Sequence, residues 1–109
     1  MAITTQILGQ AKPSAATNTM LFTVAGSNSV EFSIYINNQS QVYDGYSIAL
    51  IPYGQTGPAA QQYLALNTQI AGGATAAFSG LYLNSGDSVI VASTAGNCSF
   101  TATGIDFSP

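Results

Sequence analysis

The chain has 109 residues, 47% of them apolar and only 5% charged, with one Lys, four acidic residues, no Arg or His, and a net charge of −3. A single basic residue excludes a nucleic-acid binder that works by neutralising phosphates, and it offers no basic patch to an anionic membrane surface. The lack of His and the single Cys exclude Ser–His–Asp and Cys–His catalysis, a tetrahedral zinc site and an intrachain disulfide.

Residues 1–18 stand apart as an N-terminal arm, with Ile3, Ile7 and Leu8 scattered among Thr, Gln, Gly, Pro and Ala. The arm reads either as a segment that orders on a neighbouring subunit as an added strand or as a loosely packed terminus. Lys12, the only base, lies within it beside Pro13. A docked arm would bring Lys12 to Glu31, Asp44, Asp87 or Asp106 of another copy, worth only ~0–1 kcal/mol if exposed. The first twenty residues lack the basic start and continuous apolar run of a secretory leader, so synthesis in a cytoplasm is expected. No apolar run approaches the ~20 residues that a bilayer crossing needs.

The sandwich domain is assigned to residues 19–109. "TMLFTV" (19–24) reads as a strand, and "AGSNS" as a turn. In "SVEFSIYIN" (29–37), Val30, Phe32, Ile34 and Ile36 alternate with Glu31, Ser33, Tyr35 and Asn37. That period of two, rich in β-branched and aromatic residues, marks a half-buried strand. "YDGYSIALIPY" (43–53) sets Tyr46, Ile48 and Leu50 on one face until Pro52, which cannot donate to a ladder. After the loop "GQTGPAAQ" comes "QYLALNTQI" (62–70), read as a strand although its Ala- and Gln-rich lead-in suits one helical turn. "AGG" breaks the chain before "ATAAFSGLYL", the turn signal "NSGD" follows, and "SVIVAS", "TAGN" and "CSFTATGIDF" complete it.

About seven strands at this spacing, with no amphipathic helix to cover a sheet, require two sheets that cover each other. The expected fold is an all-β antiparallel sandwich, jelly-roll-like or immunoglobulin-like. Its expected core is Leu21, Phe22, Val24, Val30, Phe32, Ile34, Ile36, Ile48, Leu50, Phe78, Leu81, Val89, Val91 and Phe100.

The residues offer little chemistry. Glu31, Asp44, Asp87 and Asp106 fall in four separate segments, and the Asp residues of "YDGY" and "SGDS" read as turn formers. No loop has the dense acidic spacing of a strong calcium site, and no glycine-rich stretch ends in the GK[ST] of a phosphate loop. No enzyme activity, cofactor or metal is expected. Cys98, with no neighbouring base to stabilise a thiolate, reads as a small buried hydrophobe. Of the six tyrosines, Tyr35 falls on the outward side of the clearest strand, where a partner or a sugar would stack.

A surface this poor in charge has little repulsion between copies and few Lys to guard its strand edges. A subunit of an assembly is therefore expected rather than a free monomer.

"LGQAKPSAATNTMLFTV" resembles the opening of small tailed-phage virion proteins, through Leu8, Gly9, Gln10, Pro13, Ala15 and Ala16 and then Thr19, Leu21, Thr23 and Val24. Ser33, Ile34, Ile36 and Asn37 match the next strand of that group, and "GLYLNSGDSVIV" with the closing "GIDF" is similar to its remainder. Many of those proteins carry a Pro after the first strand where this chain has Ala25 and Gly26. The resemblance implies a virion structural protein, a capsid decoration or cement subunit made in the host cytoplasm. Its implied partners are the major capsid protein, or other virion proteins, and further copies of itself, with trimers among the arrangements. A tail or fibre component with a receptor- or glycan-binding face is the alternative. Ile7, Leu8, Lys12, Pro13 and Tyr35 are the expected partner-binding residues.

Overall fold

The computed structural model describes residues 2–109 as eight strands. They are β1 (Ala2–Ala11), β2 (Thr19–Thr23), β3 (Ser29–Asn38), β4 (Asp44–Ile51), β5 (Tyr63–Ile70), β6 (Thr75–Leu83), β7 (Ser88–Ser93) and β8 (Cys98–Ser108). A single 3-10 turn, Ala60–Gln62, precedes β5, so the Ala- and Gln-rich lead-in does form one helical turn before the expected strand.

The alternation read in β3 is the one observed. Val30, Phe32, Ile34 and Ile36 are buried and Tyr35 is exposed. β3 pairs with β8 and β6, and β8 pairs in turn with β1, giving an antiparallel sheet of order β1-β8-β3-β6. The second sheet has the order β2-β7-β4-β5. Every connection except β4 to β5 crosses from one sheet to the other, which is the double-wound course of a jelly roll rather than the immunoglobulin arrangement. The two inner faces meet in one core. Phe22 and Phe32 cross edge to face at 5.2 Å, and Tyr46 and Phe78 at 6.3 Å.

Three expected core residues, Leu50, Phe78 and Leu81, are only partly buried and pack against the core's rim. Tyr46, Ala65, Ile70, Leu83, Cys98 and Ala102 complete the interior. Cys98 is a free, buried thiol, as expected.

The main departure from the sequence reading lies at the N-terminus. Residues 2–11 of the expected 1–18 arm are β1, the edge strand of the first sheet, paired with β8 of the same chain from Ala2↔Ser108 to Ala11↔Phe100. Among the described residues the sandwich therefore has eight strands, β1 included; Met1 of the expected arm lies outside the described residues. A bulge between Ile7 and Gly9 shifts the register. At Gly9 a side chain would collide with the Leu21 carbonyl oxygen, so glycine there lets β1 close onto β2 at the corner of the sandwich.

Candidate partner-binding face and edge

Counting by two along β8 from the buried Phe100 and Ala102 turns Thr103, Ile105 and Phe107 outward. Their register partners on β1 are Ile7, Thr5 and Ile3. On β3, Ser33, Glu31 and Ser29 continue the same rows, and Tyr82 on β6 stands opposite Glu31. The outer face of the first sheet thus carries Ile3, Ile7, Tyr35 and Tyr82, exposed at 62%, 60%, 46% and 66%, beside the half-buried Ile105 and Phe107. Ile3, Phe107, Ile105 and Ile7 are register neighbours and form one apolar patch, with Tyr35 and Tyr82 further across the face beyond Thr101 and Glu31.

A shallow groove crosses this face, lined by Thr5, Glu31, Ser33, Thr103 and the backbones of Gly80 and Gly104. β3 and β6 are out of step here, between Phe32↔Leu81 and Ile34↔Phe78. Gly80, at φ +71° with open space above it, takes the left-handed turn of that bulge. The Glu31 charge, with the hydrogen bond it accepts from the phenol, pushes the Tyr82 hydroxyl above its ordinary pKa. The groove therefore joins a carboxylate and several hydroxyls, with Tyr82 beside Glu31 on the neighbouring strand.

The other acidic residues serve the fold. Asp87 accepts from the amides of Asn84 (2.9 Å) and Tyr53 (2.8 Å), closing the "NSGD" turn and tethering the chain after β4 to it. Asp44, almost fully buried, accepts from the Ser93 hydroxyl at 2.6 Å and from the amides of Gly45, Ala95 and Asn97 at 2.7, 2.8 and 3.1 Å. Burial by itself would raise its pKa. The hydrogen bonds from Ser93, Ala95, Asn97 and Gly45 outweigh that and hold it at about 2, against an ordinary 3.8. The local turn role expected for Asp44 is there in the Gly45 contact, but most of its partners belong to the β7–β8 turn, some fifty residues away.

Burial first, with the nearby Asp44 charge, pushes the Cys98 thiol up to about 11 despite an opposing hydrogen bond with Ser93. It stays protonated at neutral pH, which suits packing and not nucleophilic chemistry. Burial, and then the proximity of Cys98, raise Tyr46 as well.

The five residues expected to meet a partner divide. Ile7 and Tyr35 lie on the bare outer face, and Lys12 is exposed just past the end of β1, close to Gln10 and Thr101. Leu8, next to the outward Ile7 and so turned to the opposite face, packs against the core, and Pro13 is buried. Ile7, Lys12 and Tyr35 are thus accessible from solvent, whereas Leu8 and Pro13 are turned into the fold. Ile3, Ile105, Phe107 and Tyr82, absent from the expected set, complete the patch. For Ile105 and Phe107 the signal was present, as the odd-numbered parity of "FTATGIDF" counted from Phe100. Asp44 and Asp87 are taken up by turns away from β1, and Glu31 and Asp106 are the acidic groups on the first sheet.

No family model, no curated protein and no solved structure matches this chain.

Proposed function

We propose that the protein is a structural component of a tailed-phage virion, a capsid decoration or cement protein that binds across neighbouring capsid subunits. The observation that carries this reading is the bare outer face of the β1-β8-β3-β6 sheet, with Ile3, Ile7, Tyr35 and Tyr82 exposed together on a chain that has five charged residues in all. Such a face suits attachment by buried apolar area, because few charges need desolvation. The resemblance of the LGQ-x-x-P-x-A-A opening and the strands after it to small phage virion proteins adds the particular setting. The deciding experiment is the copy number in purified virions, by quantitative mass spectrometry against the major capsid protein. Abundance comparable with the capsid protein supports the shell role, and absence from the particle overturns the virion reading.

A second reading rests on the groove at Glu31. A carboxylate beside Tyr82 and the hydroxyls of Ser33, Thr5 and Thr103 suits a sugar ring, which stacks on a phenol and donates its hydroxyls to a carboxylate. This favours a tail or fibre component with a glycan-binding face. Low copy number, together with glycan-array binding that weakens in Tyr82→Ala and Tyr35→Ala, would support it.

A further inference from the structure

β1 is an edge strand without the usual protection of an edge. Its ten residues, AITTQILGQA, contain no charge and no Pro, and Ala2 to Ile7 are exposed on both faces. The regular run ends at the bulge after Ile7, leaving six residues free to pair along their outer edge. An exposed, uncharged edge of this kind is a template for another strand. We propose that the strand it accepts is β1 of a second copy, laid antiparallel across a two-fold axis through Thr5, so that two first sheets join into one continuous eight-stranded sheet.

The choice of occupant and of register comes from self-complementarity. A two-fold interface sets residue i opposite j and j opposite i. A shift of one position would set outward side chains against inward ones. With the axis at Thr5, Ile3 of each copy stands opposite Ile7 of the other, on the outward face, and Thr5 faces Thr5. On the opposite face Thr4 stands beside Gln6 of the second copy. A register with the axis at Thr4 instead places Ile3 against Thr5 and makes no Ile–Ile pair. Directly opposed apolar β-branched pairs are the favourable units of a sheet.

Charge also fits. Asp106 is the neighbour of Thr4 on β8, it already accepts from Gln6 of its own chain at 3.2 Å, and its Oδ1 has no partner among the described residues. The second copy therefore delivers a carboxamide donor, its Gln6, to the row that ends in this carboxylate. The two Glu31 side chains are kept apart by the four intervening strands, β8 and β1 of each copy, roughly 24 Å at ~4.8 Å per strand step, beyond the screening length at physiological salt. Six residues a side is far short of the ~20–30 of a standard interface. The pairing is accordingly weak and concentration-dependent, and it gains strength when a shell holds copies together. It also brings Ile105 and Phe107 of both copies onto one joined outer face, enlarging the surface proposed above for attachment.

The experiment uses the isolated 109-residue chain, so its failure leaves the virion reading standing. Sedimentation velocity over a range of concentration is expected to show a monomer–dimer equilibrium. Thr5→Cys is expected to form a disulfide-linked dimer under mild oxidation, because directly opposed residues in an antiparallel pair lie within disulfide range. Thr4→Cys is expected to stay unlinked, being offset from its symmetry mate by two residues. Peptide mapping separates these bonds from any at the buried Cys98. Ile3→Lys/Ile7→Lys opposes like charges and is expected to weaken the dimer about tenfold or more, whereas Ile3→Lys/Ile7→Glu opposes unlike charges and restores it. Circular dichroism confirms the fold of each variant, the altered positions being exposed. A strictly monomeric chain overturns the proposal, as does equal cross-linking at Thr4 and Thr5 or a charge swap that restores nothing.

Discussion

β4 and β1 are opposite cases of strand burial, and their sequences do not suggest it. β4, DGYSIALI, holds an Asp, a Gly and a Ser, yet nearly all of it is buried on both faces. β1, AITTQILGQA, holds two exposed isoleucines and has little covering on either face before Leu8. The difference is one of place. β4 lies between β7 and β5, and its outward Ala49 is flanked in register by Ile90 and Tyr63. β1 has β8 on one side and an open edge on the other. The comparison teaches that burial in a jelly roll follows the position of a strand in the order, and that polar residues in the central place are tolerated only with every hydrogen bond supplied.

Four measurements test that contrast. Ile48→Ala, at a wholly buried site of β4, is expected to destabilise by about 4 kcal/mol in urea unfolding, from lost burial and the cavity left. Asp44→Ala is expected to destabilise by about 3 kcal/mol, because the amides of Gly45, Ala95 and Asn97 and the Ser93 hydroxyl lose their acceptor together. A loss below about 1 kcal/mol would mean that β4 does not depend on this network.

The third measurement is the pH profile. Asp44 is held at about 2 in the folded chain against 3.8 ordinarily, so the folded state favours its ionised form. That stability is complete above the ordinary value and is lost as pH falls through about 4 towards 2. The urea midpoint is expected to drop over this range in the wild type and to change far less in Asp44→Asn. Parallel profiles for the two would assign acid sensitivity elsewhere. The smallest effect is expected from Ile3→Ser, less than about 0.5 kcal/mol on the fold of the monomer. A larger loss would show that the exposed half of β1 supports the sandwich as β4 does.

Much of this architecture was legible in the chain. Seven of the eight strands carry the local signature that marks them, clearest in Val30 to Ile36, and Gly-, Asn- and Asp-containing turns separate most of them. β1 escaped because AITTQI alternates neither apolar with polar nor buried with exposed. What makes it a strand is its ladder with β8, about a hundred residues away in sequence. At the candidate site Tyr35 was legible as an outward residue by simple parity. Ile7 and Leu8 were not told apart, because their segment does not read as a strand whose neighbours alternate between faces. The groove at Glu31 was hidden because it depends on the slip between β3 and β6 at Gly80.

Residue type and period-two alternation, both local properties, were enough to specify an all-β sandwich and most of its core. The jelly-roll course, the place of the N-terminal segment at its edge, and the gathering of Ile3, Ile7, Ile105 and Phe107 on one outer face were decided by tertiary structure. Those outcomes turn on which distant strands pair and on where a bulge shifts the register. They are settled by burial and backbone hydrogen bonds summed over the whole chain, and no short stretch of residues carries that sum.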